Sequence, residues 1–149
     1  MSEIFGGPHG DKYSDLDVVM PAQQVKSITI RSGERVNGVG LVMTDFWRDD
    51  HTLYHGGYGG DNETLSLSAG EHVTEIEAHW DEYRSHTRIF YIKFTTDKGN
   101  KIEGGTPVLD SANIGKETAP DGYQLGGFVG YAGKELDMVQ AIWADQRSW

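Results

Sequence analysis

Apolar and polar residues alternate along this chain in short runs, and glycine-rich turns separate the runs. Val25 to Arg31 alternates, with Ile28 and Ile30 on one face and Ser27 and Thr29 on the other. That is the period of a half-buried strand. Arg88 to Thr95 is β-branched and aromatic on both faces, which fits a strand packed on two sides. Gln124 to Tyr131 and Met138 to Ala144 read as two more strands, joined by Gly133-Lys134-Glu135-Leu136-Asp137. Turn signals recur at Ser32-Gly33, Asp97-Lys98-Gly99-Asn100, Asp121-Gly122 and Ala132-Gly133. No long stretch carries a helical period. Glu71 to His86 comes nearest, with His72, His79 and His86 seven apart, but Val73, Ile76, Trp80 and Tyr83 form no coherent buried stripe.

The hairpins repeat. Ile28 through Asn37 lies over Phe128 through Asp137, and an apolar strand follows each. A middle copy starts at Val73-Thr74-Glu75-Ile76, echoing Val25-Lys26-Ser27-Ile28. Its turn is expected to be longer, over Asp81 to His86, with a return strand from Arg88 to Thr95. Di-glycine loops accompany the copies at Gly6-Gly7, Gly56-Gly57 with Gly59-Gly60, and Gly104-Gly105. Three such units cannot each bury a face alone, but they can close around a common axis. The expectation is an all-β fold of three sheets, a β-prism, with a two-sheet sandwich as the alternative.

Composition narrows the function classes. The 149 residues suffice for one domain with its own core, expected over about 4–145 of 1–149. A hydrophobic fraction of 37% and a charged fraction of 24% belong to an ordinary globular chain. The formal net charge of −10 argues against nucleic acid and anionic membranes as partners. No cysteine is present, which removes disulfides and thiolate metal sites. Met1-Ser2-Glu3 leads straight into a glycine loop, without a basic start or an apolar stretch. A cytoplasmic protein with no membrane insertion is the expectation.

The hairpin turn carries the candidate chemistry. Gly133 permits a positive φ and leaves the Lys134 and Glu135 amides pointing outward as donors. An ionised Asp137 offers two acceptor oxygens beside them. Such a donor-donor-acceptor cluster suits adjacent sugar hydroxyls, each of which donates and accepts. From spacing alone, Asp137 could equally cap its own turn. Other chemistries find no support. The histidines scatter on a strand reading and no His-Glu-x-x-His is present, so no metal and no cofactor is expected. Asp49-Asp50 and Asp15 with Asp17 read as solvated surface rather than a glycosidase pair. No Gly-Lys-Ser/Thr follows any glycine loop, and no nucleophile sits with a base, so no enzyme is expected.

In order and spacing, several segments together resemble the jacalin-related lectins, in particular their mannose-binding branch. They are Gly6-Gly7-Pro8-His9-Gly10, Ser32 to Gly38, His55-Gly56-Gly57-Tyr58-Gly59-Gly60, Gly70-Glu71-His72-Val73, Phe94 to Gly99, Gly104-Gly105-Thr106-Pro107, and Gly126 to Asp137. The similarity runs from Phe5 to about Ala144. It implies a β-prism I fold of three four-stranded Greek-key sheets with pseudo-threefold symmetry. It also implies non-catalytic binding of mannose/glucose-type glycans and a homo-oligomer, dimer or tetramer.

Carried over by position, the resemblance implies a main site of the Gly10 amide, the Lys134 and Glu135 amides and the Asp137 carboxylate. Asp137 would hold the 4- and 6-hydroxyls of the sugar, with the Lys134 and Glu135 side chains shaping the rim. A galactose preference goes in this family with a freed glycine amino group at the first loop. Here Gly10 is internal, which favours mannose over the galactose-preferring alternative. A second site would fall on Gly60, the Glu34 and Arg35 amides and Asn37. Asn37 departs from the expected Asp and loses the charge, so this site should be weaker or empty. His9 stands where a glycine is common, narrowing the main site or adding a ring contact. Tyr83 and Trp80, in or beside the loop that tunes ligand choice, could contact further sugar rings; the alternative for Trp80 is a place in the core. A prism-fold protein-interaction domain that has lost sugar binding is the rival from another class.

Overall fold

The structure is a computed structural model, and it describes residues 1–21, 23–45 and 47–147. Twelve strands form among the described residues: β1 (Phe5–Gly6), β2 (Asp11–Ser14), β3 (Gln24–Ser32), β4 (Val36–Thr44), β5 (Asp50–Gly56), β6 (Asp61–Ser66), β7 (Val73–Tyr83), β8 (His86–Thr96), β9 (Lys101–Gly105), β10 (Ile114–Thr118), β11 (Tyr123–Ala132) and β12 (Leu136–Asp145). They pair as three four-stranded sheets, ordered β5-β4-β3-β6, β10-β7-β8-β9 and β1-β12-β11-β2. Every pairing is antiparallel. In each of the first two sheets three successive strands run side by side and the fourth returns beside the first, a Greek key. The third sheet is the same key opened between β12 and β1, so strands from both ends of the chain complete it. The three-sheet expectation holds and the two-sheet sandwich does not.

The repeat lies deeper than the hairpin turns. Val25 and Ile28 are both buried although three positions apart, which strict strand alternation forbids. A register shift between Val25 and Ser27 against β4 supplies the extra residue, a bulge that returns the following side chains to the axis. β7 does the same between Val73 and Ile76, and β11 between Leu125 and Phe128. The three inward rows meet in one core. Ile28, Ile30, Ile76, Ile92, Phe94, Phe128 and Val139 are each at most 1% exposed. The Phe94 and Phe128 rings pack at 5.9 Å with a tilt of 60°. Each such side chain contributes about 1.5–3 kcal/mol through burial.

One expectation about the scaffold needs correction. The middle hairpin has the shorter connection, not the longer one. β7 and β8 pair out to Tyr83 and His86, leaving only Arg84 and Ser85 between them. Those two residues take φ of 53° and 67°, the left-handed pair that a two-residue hairpin loop demands. The longer strands carry Tyr83 and Arg84 to the corner where Gly133–Glu135 lies.

Glu71 ties the approach to β7 to the β8–β9 turn. Its carboxylate accepts from Thr96 Oγ1 at 2.6 Å, Asn100 Nδ2 at 2.7 Å, and the Ser68 amide and hydroxyl at 2.9 and 3.1 Å. These bonds, the Thr96 hydroxyl foremost, hold its pKa at about 2, against 4.5 for an ordinary Glu. A lowered carboxylate pKa adds stability above the ordinary value and loses it as pH falls toward the folded one. The urea midpoint is therefore expected to fall between pH 4.5 and about 2. Glu71→Gln should flatten that part of the curve; an unchanged slope would show that other carboxylates govern it.

Candidate functional site

Two hairpin turns share one local geometry. In β11–β12 the Gly133 amide donates to the Glu135 carbonyl at 3.0 Å; in β3–β4 the Gly33 amide donates to the Arg35 carbonyl at 3.0 Å. The amides of Lys134 and Glu135, and of Glu34 and Arg35, have no hydrogen-bond partner among the described residues. The free donors expected from the sequence are therefore present. Their cause is different. Neither Gly33 nor Gly133 has a positive φ, and a Cβ at either would meet nothing within 4 Å. The left-handed glycines are in the loops opposite, Gly10 at φ 85° and Gly60 at φ 71°.

Those loops sit over the acceptor side chains. A Cβ at Gly10 would come within 2.6 Å of Asp137 Oδ2, and one at Gly60 within 2.7 Å of Asn37 Oδ1. Only glycine lets the backbone approach so closely. The loops are anchored alike: the Gly7 amide donates to the Asp137 carbonyl at 3.1 Å, and the Gly57 amide to the Asn37 carbonyl at 3.0 Å. The third copy makes the same bond from Thr106 to the Phe90 carbonyl at 2.7 Å. Asp137, Asn37 and Phe90 are thus threefold counterparts: a charged acceptor, a neutral one and none.

At the first corner the groups converge on a cavity of about 410 Å³. Gly10, Gly133, Lys134, Glu135 and Asp137 line it together with Tyr83, Arg84, His86 and Arg88. Asp137 is fully buried at its floor. Its Oδ1 accepts from Arg88 Nη1 at 2.5 Å, while Oδ2 and Arg88 Nε have no partner among the described residues. One of the two acceptor oxygens expected to be free is thus already paired. Burial pushes the Asp137 carboxyl above its usual range, and the Arg88 guanidinium pulls it back. His9 lies at the edge, its ring 4.8 Å from that of His86.

The two corners are joined. Arg35 Nε donates to Glu135 Oε1 at 2.6 Å and Nη2 to Oε2 at 3.2 Å. The same guanidinium stacks 3.8 Å over the Tyr83 ring. Glu135 is thus held by the second hairpin rather than free on the rim, and Tyr83 does border the main cavity. Trp80 does not: it packs against the core, 6.1 Å from the Phe5 ring.

Sequence reasoning missed Arg88, Arg84 and His86. The available signal was a basic residue opening an otherwise apolar strand, since a buried carboxylate calls for a cation. The three spaced histidines disperse. His72 Nδ1 meets Asp97 at 3.1 Å, while His86 faces His9. His79 Nδ1 accepts from the Val108 amide, which leaves the Nε2 proton for Glu77 at 2.7 Å. Among the described residues no group of three His or acidic side chains could hold a metal ion. Asp15 is not the solvated surface residue expected: it is buried and serves the fold, accepting from His55 Nε2 at 2.8 Å and the Phe128 amide at 2.9 Å. No helix is long and apolar enough to cross a membrane among the described residues.

Known proteins resemble this chain in sequence or in fold. The secreted RxLR effector protein 19 of Plasmopara viticola is 28% identical over 145 residues, spanning 94% of this chain and 78% of that protein. Malaysian banana lectin superposes with a TM-score of 0.80 at 21% identity, over 96% of each chain. A mannose binding jacalin related lectin from Ananas comosus superposes at 0.73 with 16% identity, over 96% of this chain and 95% of its own. At such identities the superpositions establish the β-prism fold alone. The family model of the jacalin-like lectin domain matches residues 2–142. Lectins of this family are non-catalytic carbohydrate-binding proteins. Matched over nearly its whole length, the chain belongs to the jacalin-like lectin family.

Proposed function

We propose that this protein binds mannose/glucose-type glycans, without catalysis, at the corner between Gly10 and Asp137. The observation that carries this reading is the convergence of unpartnered polar groups on one cavity. Asp137 Oδ2 has no partner, and the Gly10, Lys134 and Glu135 amides make no hydrogen bond among the described residues. A buried acceptor without a partner costs about 1–3 kcal/mol, which a ligand hydroxyl would recover. Gly10 is internal, preceded by β1, which pairs with β12. An internal Gly10 offers an amide rather than a free amino group, which favours mannose over galactose. One shallow site should hold a monosaccharide at roughly −4 to −6 kcal/mol, the millimolar to sub-millimolar range. Titration calorimetry with methyl α-mannoside, α-glucoside and α-galactoside tests this. Heat from the first two and little from the third is the expected result; silence from all three would favour a protein-interaction domain.

The Asn37 corner is the weaker one because its acceptor is neutral. Asn37→Asp is expected to tighten sugar binding there at least about fivefold, since charge-assisted bonds are roughly twice as strong as neutral ones. Calorimetry should then report two sites per chain. A stoichiometry and affinity unmoved by the substitution would remove the second site from the reading. Avidity for branched glycans further calls for a homo-oligomer, a dimer or tetramer, which light scattering would detect.

A further inference from the structure

The charge around the main cavity runs against that of the molecule. The chain carries a formal net charge of −10. Yet the cavity is lined by Arg84, Arg88 and Lys134, and its two carboxylates are both already paired. Asp137 is paired with Arg88 and Glu135 with Arg35. Arg84 and Lys134 remain, exposed at the mouth and without a carboxylate partner among the described residues. In the floor, Arg88 Nε and Asp137 Oδ2 are a buried donor and a buried acceptor on one ion pair, each unpartnered. A hydroxyl can accept from the first, and another can donate to the second. A neutral hydroxylated ring therefore suits the floor, and an anion suits the mouth.

We propose that this corner selects acidic glycans: a neutral hexose fills the floor, and a carboxylate, sulfate or phosphate on the adjoining residue meets Arg84 and Lys134. The proposal rests on the reading of this corner as a sugar site. The anion belongs on the neighbouring residue, because on the clamped ring it would face Asp137. A cationic mouth concentrates anionic ligands locally, while the acidic surface elsewhere on the molecule repels them. The short, two-residue β7–β8 connection matters here, since it is what carries Arg84 to the corner.

The test is calorimetry on the intact protein with four disaccharides: mannobiose, and mannosyl conjugates whose second residue carries a uronate, a sulfate ester or a phosphate. At low ionic strength at least one acidic ligand is expected to bind about five- to thirtyfold tighter than mannobiose, the sum of two exposed charge pairs. The three acidic arms show which anion fits. Raising salt to about 0.5 M should remove most of the gain by screening. Arg84→Asn keeps a residue that tolerates the left-handed backbone. It should cut the ratio of acidic-ligand affinity to mannobiose affinity at least about threefold, the share of one exposed pair. Equal affinity for neutral and acidic ligands would overturn the proposal while sustaining the neutral sugar site. An acidic advantage untouched by salt and by Arg84→Asn would overturn it too. Failure of all four ligands would overturn both readings.

Discussion

Asp137→Ala is expected to abolish mannoside binding, with affinity falling at least about a hundredfold. A hydrogen bond to a charged group contributes about 1.5–3 kcal/mol, and among the described residues this carboxylate is the only charged acceptor at the floor of a site expected to bind a monosaccharide at roughly −4 to −6 kcal/mol. The substitution also leaves Arg88 without its 2.5 Å partner. Removing one member of a buried pair can cost about 3–5 kcal/mol, but Arg88 faces the cavity and can hydrate. Asp137→Asn separates the two effects. It keeps the shape and one acceptor, and should weaken binding about tenfold or more, since charge-assisted bonds are roughly twice as strong as neutral ones. Circular dichroism would confirm the fold of both variants and calorimetry would read the binding. Undiminished affinity in a folded Asp137→Ala protein would remove Asp137 from the site.

The largest loss of stability is expected from Phe128→Ala. Phe128 is fully buried, packs on Phe94, and lies just after the bulge of β11. Aromatic-to-alanine changes in such cores cost about 3–5 kcal/mol through lost transfer energy and the cavity left behind. Domains of this size hold only about 5–15 kcal/mol in total, so the urea midpoint should fall by about a fifth or more. The Phe128 amide remains available to Asp15, so the loss would report packing rather than a broken backbone bond. A drop under about 1 kcal/mol would show that the three sheets close around a looser centre than this packing implies.

Much of this was legible in the chain. The echo between Ile28–Asn37 and Phe128–Asp137 is a local pattern, and local hairpin geometry follows from it. Asp137 and the Lys134 and Glu135 amides could be named as candidates because they sit in such a pattern, whereas Gly10 came from the resemblance to the lectin family. The bulges could not, because an inward pair three apart looks like broken alternation until its partner strand is known. Nor could the Arg88–Asp137 and Arg35–Glu135 pairs, which join residues far apart in sequence. The role given to Gly133 was misplaced for a related reason: free amides need only a turn, whereas close approach of a loop requires glycine at the other side, Gly10. Trp80 and Tyr83 lie in one strand, and only the packing of β1 against β7 separates the core ring from the cavity ring.

The sheet completed by both ends of the chain sets an order of events during synthesis. Gly10 leaves the ribosome well before Asp137, so a ribosome-bound fragment lacking β12 cannot complete the corner that the two share. The Asn37 corner, with Gly60 close behind it in sequence, can form from an early fragment. The proposed sugar corner at Asp137 therefore reports that β12 is in place, and fragments that stop short of β12 would lack that corner.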